Sequence, residues 1–375
     1  MDLVQFDKIA PAYFKSGTAL EIVSGPGVGK SSAVRATVMK LSKTLGEPVG
    51  FMAHEASTIE SVDVLGFLLP VKGSDGEGMT SKFTRPPIFP TKKSVTVFVN
   101  GQEAPGWALE NGIPELGVLF IDELGQAEQD VQKAFASVIL EGRMGEYRLP
   151  AGWRRWAASN RTKDRSGVAR RLRHLQNRAK TVQVQPTYKA FELFANNNGV
   201  HPILITFAKR FPNLIFKDSV PSEEGPFATP RSLVLCGLDL NAMCTNKHGA
   251  HKLPDDEMAL ETMTGWLGES CAIELLSHIR MGNDLPEPEE VAKHPKTTTV
   301  PDRIDARFVM ALQLAHHVTR KTMTAFLEYV ERMDVEMQVL FCSTITTSKP
   351  TAMSVPAFSE WLASNQELLA AARAT

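Results

Sequence analysis

Along the first half of the chain, short apolar runs alternate with longer amphipathic stretches. Thr18 to Val23 is a run of strand length that stops at Ser24, Gly25, Pro26 and Gly27, and Ser31 to Leu45 follows with helical periodicity. The order is strand, glycine-rich turn, helix. Pro48 to His54 predicts a second strand and Val118 to Ile121 a third, apolar enough to lie in a sheet covered on both faces. Glu128 to Leu140 predicts an amphipathic helix, and Trp153 to Ala158 and Val182 to Val184 predict two more strands before Pro186. Strands alternating with helices imply a parallel α/β sheet. Between the second and third strands, Lys72 to Gly106 is rich in Gly and Pro and holds Ser94 to Gln102, which reads as a hairpin arm turning at Asn100 and Gly101, an excursion from the sheet. From Tyr188 the pattern turns helical. Tyr188 to Asn196 and Ile203 to Arg210 come first, then Glu257 to Arg280, Asp305 to Leu340 and Val355 to Ala374, with linker-like segments at Asn283 to Pro301 and Thr344 to Pro350.

Composition narrows the class. The 375 residues are 43% hydrophobic and 22% charged, as in a soluble globular protein large enough for two domains. Lys and Arg (41) nearly cancel Asp and Glu (42), which excludes the bulk positive field of a dedicated nucleic-acid coat. The four cysteines form no C-x-x-C pair and the N-terminal residues lack the pattern of a signal peptide, so the expected location is a reducing cytoplasm. No apolar run approaches the roughly 18–20 residues of a membrane-spanning helix, so no membrane partner is expected.

The turn after the first strand carries candidate chemistry. Ser24 to Ser31 ends in Gly29, Lys30 and Ser31, the close of a phosphate-binding P-loop. In such a loop Gly25, Pro26, Gly27, Val28, Gly29 and the start of the helix at Lys30, Ser31 and Ser32 wrap phosphate oxygens with backbone N–H groups. Lys30 is expected to reach the β and γ phosphates and Ser31 to ligate Mg²⁺. Ser24 stands where the first glycine of the pattern usually falls. A second element is the apolar strand that delivers Asp122 and Glu123 at its end: Asp122 would hold Mg²⁺ through water, and Glu123 would orient and polarise the attacking water.

These residues resemble the AAA+ ATPases, and specifically the MoxR-like branch with its CbbQ and gas-vesicle GvpN neighbours. The resemblance covers roughly residues 18–240 and extends to Asp63 to Gly66, Gly142 to Gly145, Leu149 to Trp153, Ala158 to Asn160, Asn177 with Arg178, and Thr229 to Arg231. It implies a P-loop NTPase with an AAA+ core of parallel sheet flanked by helices (1–186, with an inserted hairpin at about 72–106). A helical lid (187–253) and a helical C-terminal extension (254–375) would follow. It also implies ATP and Mg²⁺ as ligands, a homo-oligomeric ring, usually hexameric, and a client protein that the ring remodels. In this family the partner is often a von Willebrand A-type protein. Carried over by residue, Asn160 matches the first sensor, Arg231 the second sensor on the lid, and Arg178 the arginine finger that completes a neighbouring subunit's site, with Arg170, Arg171 and Arg173 as competitors. The path from Lys30 to Asp122 is longer than a minimal strand-helix-strand path needs. The stretch Val95 to Gln102 fits the helix-2 insert of the branch and Arg143 to Pro150 the hairpin before the first sensor, which makes Phe98 and Tyr147 candidate client contacts, unless both rings simply pack on their own hairpins.

Weaker signals leave rivals open. Arg154 to Lys180 contains ten basic residues and one acid, Asp164. A nucleic-acid groove would use that charge, but aromatic platforms are lacking after Trp156, and a subunit interface around a nucleotide explains the same cluster. Cys236, Cys244, His248 and His251 depart from zinc-finger spacing, and buried cysteine is the plainer account. Two alternatives to a remodelling ATPase stand: a nucleic-acid-associated NTPase motor similar to the McrB proteins, and a nucleotide-switched assembly scaffold with negligible turnover.

Overall fold

The computed structural model of the chain describes residues 1–72, 78–109, 112–161, 164, 178–221, 224–244 and 252–365. It divides into two compact units, Met1–Pro186 with Asp218–Val220, and Thr187–Lys217 with Pro221–Thr375.

The first unit opens with a helix that the periodicity along the chain left unread, α1 (Leu3–Ser16). Phe6, Ala10 and Phe14 fall four apart on one face and are buried, Asp2 and Gln5 form a capping box at its start, and Gly17 closes it in the left-handed conformation. Then come β1 (Leu20–Ser24), α2 (Lys30–Leu45), β2 (Val49–Glu55), α3 (Ser61–Leu65), the hairpin β3 (Leu68–Lys72) and β4 (Met79–Phe83), and the hairpin β5 (Thr96–Val99) and β6 (Gln102–Pro105). The unit continues with β7 (Leu116–Asp122), α4 (Gln129–Glu141), the short hairpin β8 (Arg143–Met144) and β9 (Tyr147–Arg148), β10 (Gly152–Asn160) and β11 (Lys180–Gln183). Seven strands form one sheet in the order β11-β1-β10-β7-β2-β5-β6, the first five mutually parallel.

Alternation along the strands sorts side chains onto two faces. Val118, Phe120, Trp156 and Ala158 join Phe6, Val34 and Val38 beneath α1 and α2, while Leu119, Ile121, Trp153 and Ala157 join Val131, Phe135 and Ile139 beneath α4. Both faces are covered, as the apolar run at Val118 to Ile121 requires.

The expected excursion at Ser94 to Gln102 is corrected here. β5 pairs antiparallel with β2 and β6 with β5, so this hairpin extends the sheet. Val95 and Val97 are buried on one face and Phe98 on the other, a two-sided burial that an arm standing away from the sheet could not provide. Phe98 is 2% exposed, against Phe51 and under the Arg35 guanidinium, and is therefore core, not a client contact. Two hairpins among the described residues lie outside the sheet, β8–β9 and β3–β4, and Leu68, Leu69, Met79 and Phe83 of the second are exposed. Tyr147 is half-buried, 6.4 Å from the Phe89 ring, with its hydroxyl donating to the Phe83 carbonyl.

The second unit is helical: α5 (Tyr188–Asn197), α6 (Pro202–Arg210), the single turn α7 (Pro212–Ile215), α8 (Pro230–Met243), α9 (Glu257–Leu267), α10 (Glu269–Asn283), α11 (Pro288–Lys293), α12 (Ile304–His317), α13 (Met323–Val330), α14 (Val335–Ser348) and α15 (Pro356–Ser364). One core draws on α5, α6, α8, α9 and α10, and so runs across residues 253 and 254 without a break; a second draws on α11 to α15. The long helical stretches are subdivided. Glu257 to Arg280 breaks at Gly268, whose φ of 80° and close approach to the Pro226 carbonyl only glycine accommodates. Asp305 to Leu340 breaks twice, at a Thr319–Thr322 turn and before Asp334. Thr344 to Ser348, read as linker, continues α14, because Phe341, Cys342, Thr344 and Ile345 are buried at helical spacing. Asn283 to Pro301 likewise contains α11. Among the described residues no helix is long and apolar enough to cross a membrane.

Candidate active site

Three neighbouring parallel strands, β1, β10 and β7, end together, and each end carries a residue singled out in the sequence. Ser24 on β1 lies in register with Asn160 on β10, and β10 pairs on its other side with β7, which ends at Asp122. The connections from β1 and β10 leave the sheet at this edge, which is where open α/β sheets place ligands.

The loop after β1 turns on Gly27 and Gly29, with φ of 69° and 97°, values that a side chain disfavours. Gly29 caps α2, so the first N–H groups of that helix and its positive dipole end face the loop. Gly25 is needed for a different reason: a Cβ there would lie 2.9 Å from an Arg161 guanidinium nitrogen. Lys30, 8% exposed, donates from Nζ to the Ser24 hydroxyl (3.0 Å), the Gly25 carbonyl (3.1 Å) and Asn160 Oδ1 (2.9 Å). The serine at the first position of the loop is thereby explained, since its hydroxyl accepts from Lys30 while donating to the Gly25 carbonyl at 2.8 Å. Ser31 Oγ donates to the Asp122 carboxylate, so the two oxygen donors expected to share a hard cation are already side by side. Pro26, Val28 and Ser32 complete the turn and the start of α2.

Glu123 adopts φ of 55°, a left-handed conformation unusual for a side chain of its size, and the surrounding bonds hold it there. Asp122 Oδ1 accepts from the Glu123 amide, Leu124 N–H donates to the Ala158 carbonyl on β10, and Gly125 N–H donates to the Ser159 hydroxyl, which in turn donates to the buried Glu21. The Glu123 carboxylate accepts from the Ser57 hydroxyl just after β2 at 2.7 Å. Gln126 completes the cluster: its amide is assigned, from the donors and acceptors around it, with the nitrogen donating to both Glu123 oxygens, at 2.8 and 3.2 Å, and the carbonyl oxygen accepting from Asn160 Nδ2 at 2.8 Å, because the opposite orientation would set oxygen against carboxylate and nitrogen against nitrogen. Lys30, Ser31, Asp122, Glu123 and Asn160 are thus brought together in one unit. Ser57 and Gln126 escape sequence reading; Gln126 three residues past Glu123 is a polar side chain in a tight turn, a signal that becomes specific only once the turn is known.

Arg161, next to Asn160, is a further residue that sequence reading passed over. It binds the buried Asp164 through two nitrogens, at 2.9 and 3.1 Å, and also contacts the Asp218 carboxylate and, at 2.8 Å, the Asp218 carbonyl. Burial opposes its charge, but these carboxylates outweigh that and hold its pKa above the usual arginine value. Arg161 and Asp164 are three positions apart, and no local pattern marks them as a pair.

Arg178 donates to the Ala136 carbonyl on α4 at 2.9 Å. Arg170, Arg171 and Arg173 lie outside the described residues, as do His248 and His251. Arg231, in the second unit, is exposed near the start of α8. Arg154 and Arg155, which begin the basic stretch, donate to carbonyls at the ends of α1 and α4, of Phe14 and of Ile139 and Leu140; burial lowers the pKa of both. Cys236 is buried, its thiol pushed up to about 12 chiefly by burial, and Cys244 donates to the Leu240 and Lys252 carbonyls. No metal-ligating cluster of His, Cys, Asp and Glu occurs among the described residues.

No protein-family model matches the chain, and no curated protein matches its sequence. Among solved structures it is similar to a presumed ATPase from Cytophaga hutchinsonii, at 11% identity over 98% of this chain and 88% of that one, with a TM-score of 0.32. It is similar also to a point variant of RuvB from Thermotoga maritima, at 12% identity over 76% of this chain and 73% of that one, with a TM-score of 0.35. Likeness at that level carries no functional weight.

Proposed function

We propose that the chain is an ATP-hydrolysing AAA+ protein that assembles into a ring and remodels or activates a client protein. The observation that carries this reading is the confluence at one sheet edge of Lys30, the Ser31–Asp122 pair, Glu123 and Asn160. The loop from Gly25 to Gly29 and the start of α2 would cradle the phosphates, and the three acceptors that now hold the Lys30 ammonium would lose it in part to the β and γ phosphates. Ser31 and Asp122 supply the hard oxygens that Mg²⁺ prefers, and the ion would neutralise phosphate charge. Glu123, held at the site by its backbone turn, orients a water for attack on the γ-phosphorus and takes up its proton. The bond from the γ-phosphorus to the bridging oxygen breaks, and ADP leaves with that oxygen while phosphate carries the new one. Asn160 steadies the water or the γ-phosphate.

The finer assignments extend the same reading. Arg178 would serve as the finger towards a neighbouring subunit, which requires it to leave the Ala136 carbonyl, and Arg231 would reach the nucleotide from the helical unit. The exposed apolar hairpin β3–β4 takes over the client-contact role first expected of Val95 to Gln102. A hexameric ring, a von Willebrand A-type partner, the MoxR-like branch and a cytoplasmic location belong to this proposal.

The test is ATP hydrolysis measured beside mass by light scattering, with and without ATP and Mg²⁺, for the native chain and Glu123→Gln. Nucleotide-dependent assembly with turnover at least about 100-fold lower in the variant supports a remodelling ATPase. A chain that assembles but never turns over is the switched scaffold, and one that neither binds nor hydrolyses ATP overturns the assignment.

A further inference from the structure

Gln126 joins the two halves of the site. Lys30 Nζ donates to Asn160 Oδ1, Asn160 Nδ2 donates to the Gln126 carbonyl oxygen, and the Gln126 amide donates to Glu123. All of these bonds run in one direction, from ammonium to carboxylate, so each polarises the next. We propose that Gln126 is a positioning residue that couples phosphate sensing at Lys30 and Asn160 to the placement of the Glu123 carboxylate. This rests on the ATPase reading above.

The geometry supplies the reasons. The Glu123 backbone is fixed by its turn, but its side chain has free torsions, and one bond from Ser57 would leave the carboxylate able to pivot. Gln126 meets both carboxylate oxygens and so sets the plane of the group as well as its position. The residue can do this because the Gln126 N–H donates to the Glu123 carbonyl at 2.8 Å, closing a tight turn that folds its side chain back over Glu123. The first bond of the relay is the one made by a full charge, and it is also the one for which an incoming phosphate competes. Its weakening passes through two neutral amides to the carboxylate that handles water.

Gln126→Met keeps the length and volume of the side chain and removes its donors and its acceptor. Gln126→Glu is isosteric; it keeps the acceptor for Asn160 but sets a carboxylate against Glu123. In steady-state ATP hydrolysis, both variants are expected to lower kcat by about tenfold while KM for ATP changes less than twofold, the signature of a group acting in the transition state and not in ground-state binding. Combined with Asn160→Ala, Gln126→Met is expected to cost little further, because the relay is already cut. Wild-type kcat in either variant, or losses that multiply in full in the double variant, overturns the proposal. A purely structural role predicts a loss of thermal stability shared by both variants with independent effects on turnover. A native chain without ATPase activity, or a Glu123→Gln variant that retains it, sinks the underlying assignment instead, whatever Gln126 does.

Discussion

Both units of the molecule bury polar side chains, but they arrange them differently. In the sheet unit, Ser24, Lys30, Ser159, Glu21 and Asp164 are buried at or just beyond the carboxyl ends of β1 and β10, or along β1, and are knitted into a connected set that reaches Asp122 and Glu123. In the helical unit, buried polar groups are joined by one or two hydrogen bonds each, His278 with the Thr206 hydroxyl, Glu192 with the Tyr188 hydroxyl, Lys209 with the Thr344 hydroxyl, and Lys349 on the His316 and Val318 carbonyls, and it is the charge of Lys209, 5.4 Å from the Tyr188 ring, that links Glu192 and His316. A cavity of about 500 Å³ there is lined by Arg210, His278, Arg280, Arg303 and Asp305, charges of both signs and no motif from the sequence. The difference follows from architecture. A parallel sheet ends every strand at one edge, so residues 130 positions apart, Lys30 and Asn160, come within a hydrogen bond. A helical assembly distributes its termini over both ends and gives no comparable point of convergence.

Removing one polar group from the connected set has the largest expected effect. Arg161 carries Asp164, whose side chain is fully buried, and reaches the Asp218 carboxylate. Arg161→Gln leaves Asp164 without its guanidinium, and breaking a buried pair in this way costs about 3–5 kcal/mol. The expected result is a clear drop in the melting temperature of the sheet unit and weaker nucleotide binding, because the same guanidinium lies against Gly25 of the loop. Differential scanning calorimetry with and without ATP checks both. Unchanged melting would show that Arg161 and Asp164 are as loosely joined as the buried polar groups of the helical unit.

The same contrast explains what the sequence revealed. The P-loop and Asp122 with Glu123 each sit at the end of an apolar run, so a local pattern marks them; Asn160 was marked only by the family resemblance, and the topology brings all of them together. The strand at Thr96 to Val99 was legible as a strand, but its partner was not: alternation tells which side chains are buried and says nothing of which neighbour covers them, and β2 was the neighbour. Of the two readings open for Phe98, client contact or packing, the pairing with β2 decides for packing. Ser57, Gln126 and Arg161 have no local pattern at all. The roles of Ser57 and Gln126 exist only because β2, β7 and β10 lie side by side, and that of Arg161 depends on Asp218, 57 positions along the chain; a short-range reading has no access to either. In the helical unit, breaks such as Gly268 depend on a positive φ and on a carbonyl from a distant loop, so periodicity ran through them.

The buried histidines of the helical unit give the next effect, driven by pH. His278 and His316 are buried and have pKa values lowered to about 3 from 6.5, first by burial, then by nearby cations: Arg210 for His278, and Lys209 and Lys349 for His316. Between those values the unfolded chain binds protons that the folded unit does not, so stability is full above about pH 6.5 and falls as pH drops towards 3. By pH 5.5 the loss is about 1.4 kcal/mol per histidine. Urea denaturation of the full chain at pH 7.5 and 5.5, followed by helical circular dichroism, is expected to show it, and His316→Gln to reduce the slope. A helical transition equally stable at both pH values would mean that these imidazoles are reached by water and already titrate near their ordinary value.

The smallest effect sharpens the comparison at the one point where the helical unit carries a motif. Thr229 caps α8: its hydroxyl accepts from the Ser232 amide at 3.0 Å, the Ser232 hydroxyl accepts from the Thr229 amide at 2.8 Å, and Pro230 occupies the first helical turn. Thr229→Ala is expected to cost about 1 kcal/mol, read as a small shift in the denaturation midpoint of the helical unit. Arg231 is the second residue of this helix and is exposed, so the cap sets the direction in which it leaves the backbone without holding its guanidinium. If Arg231 reaches nucleotide as proposed, the cap variant raises the KM for ATP slightly and Arg231→Ala raises it more, while the stability cost belongs to Thr229→Ala alone. Should Arg231→Ala leave both KM and kcat unchanged, the helical unit contributes no group to the nucleotide through this motif, and its polar residues then serve only its own packing.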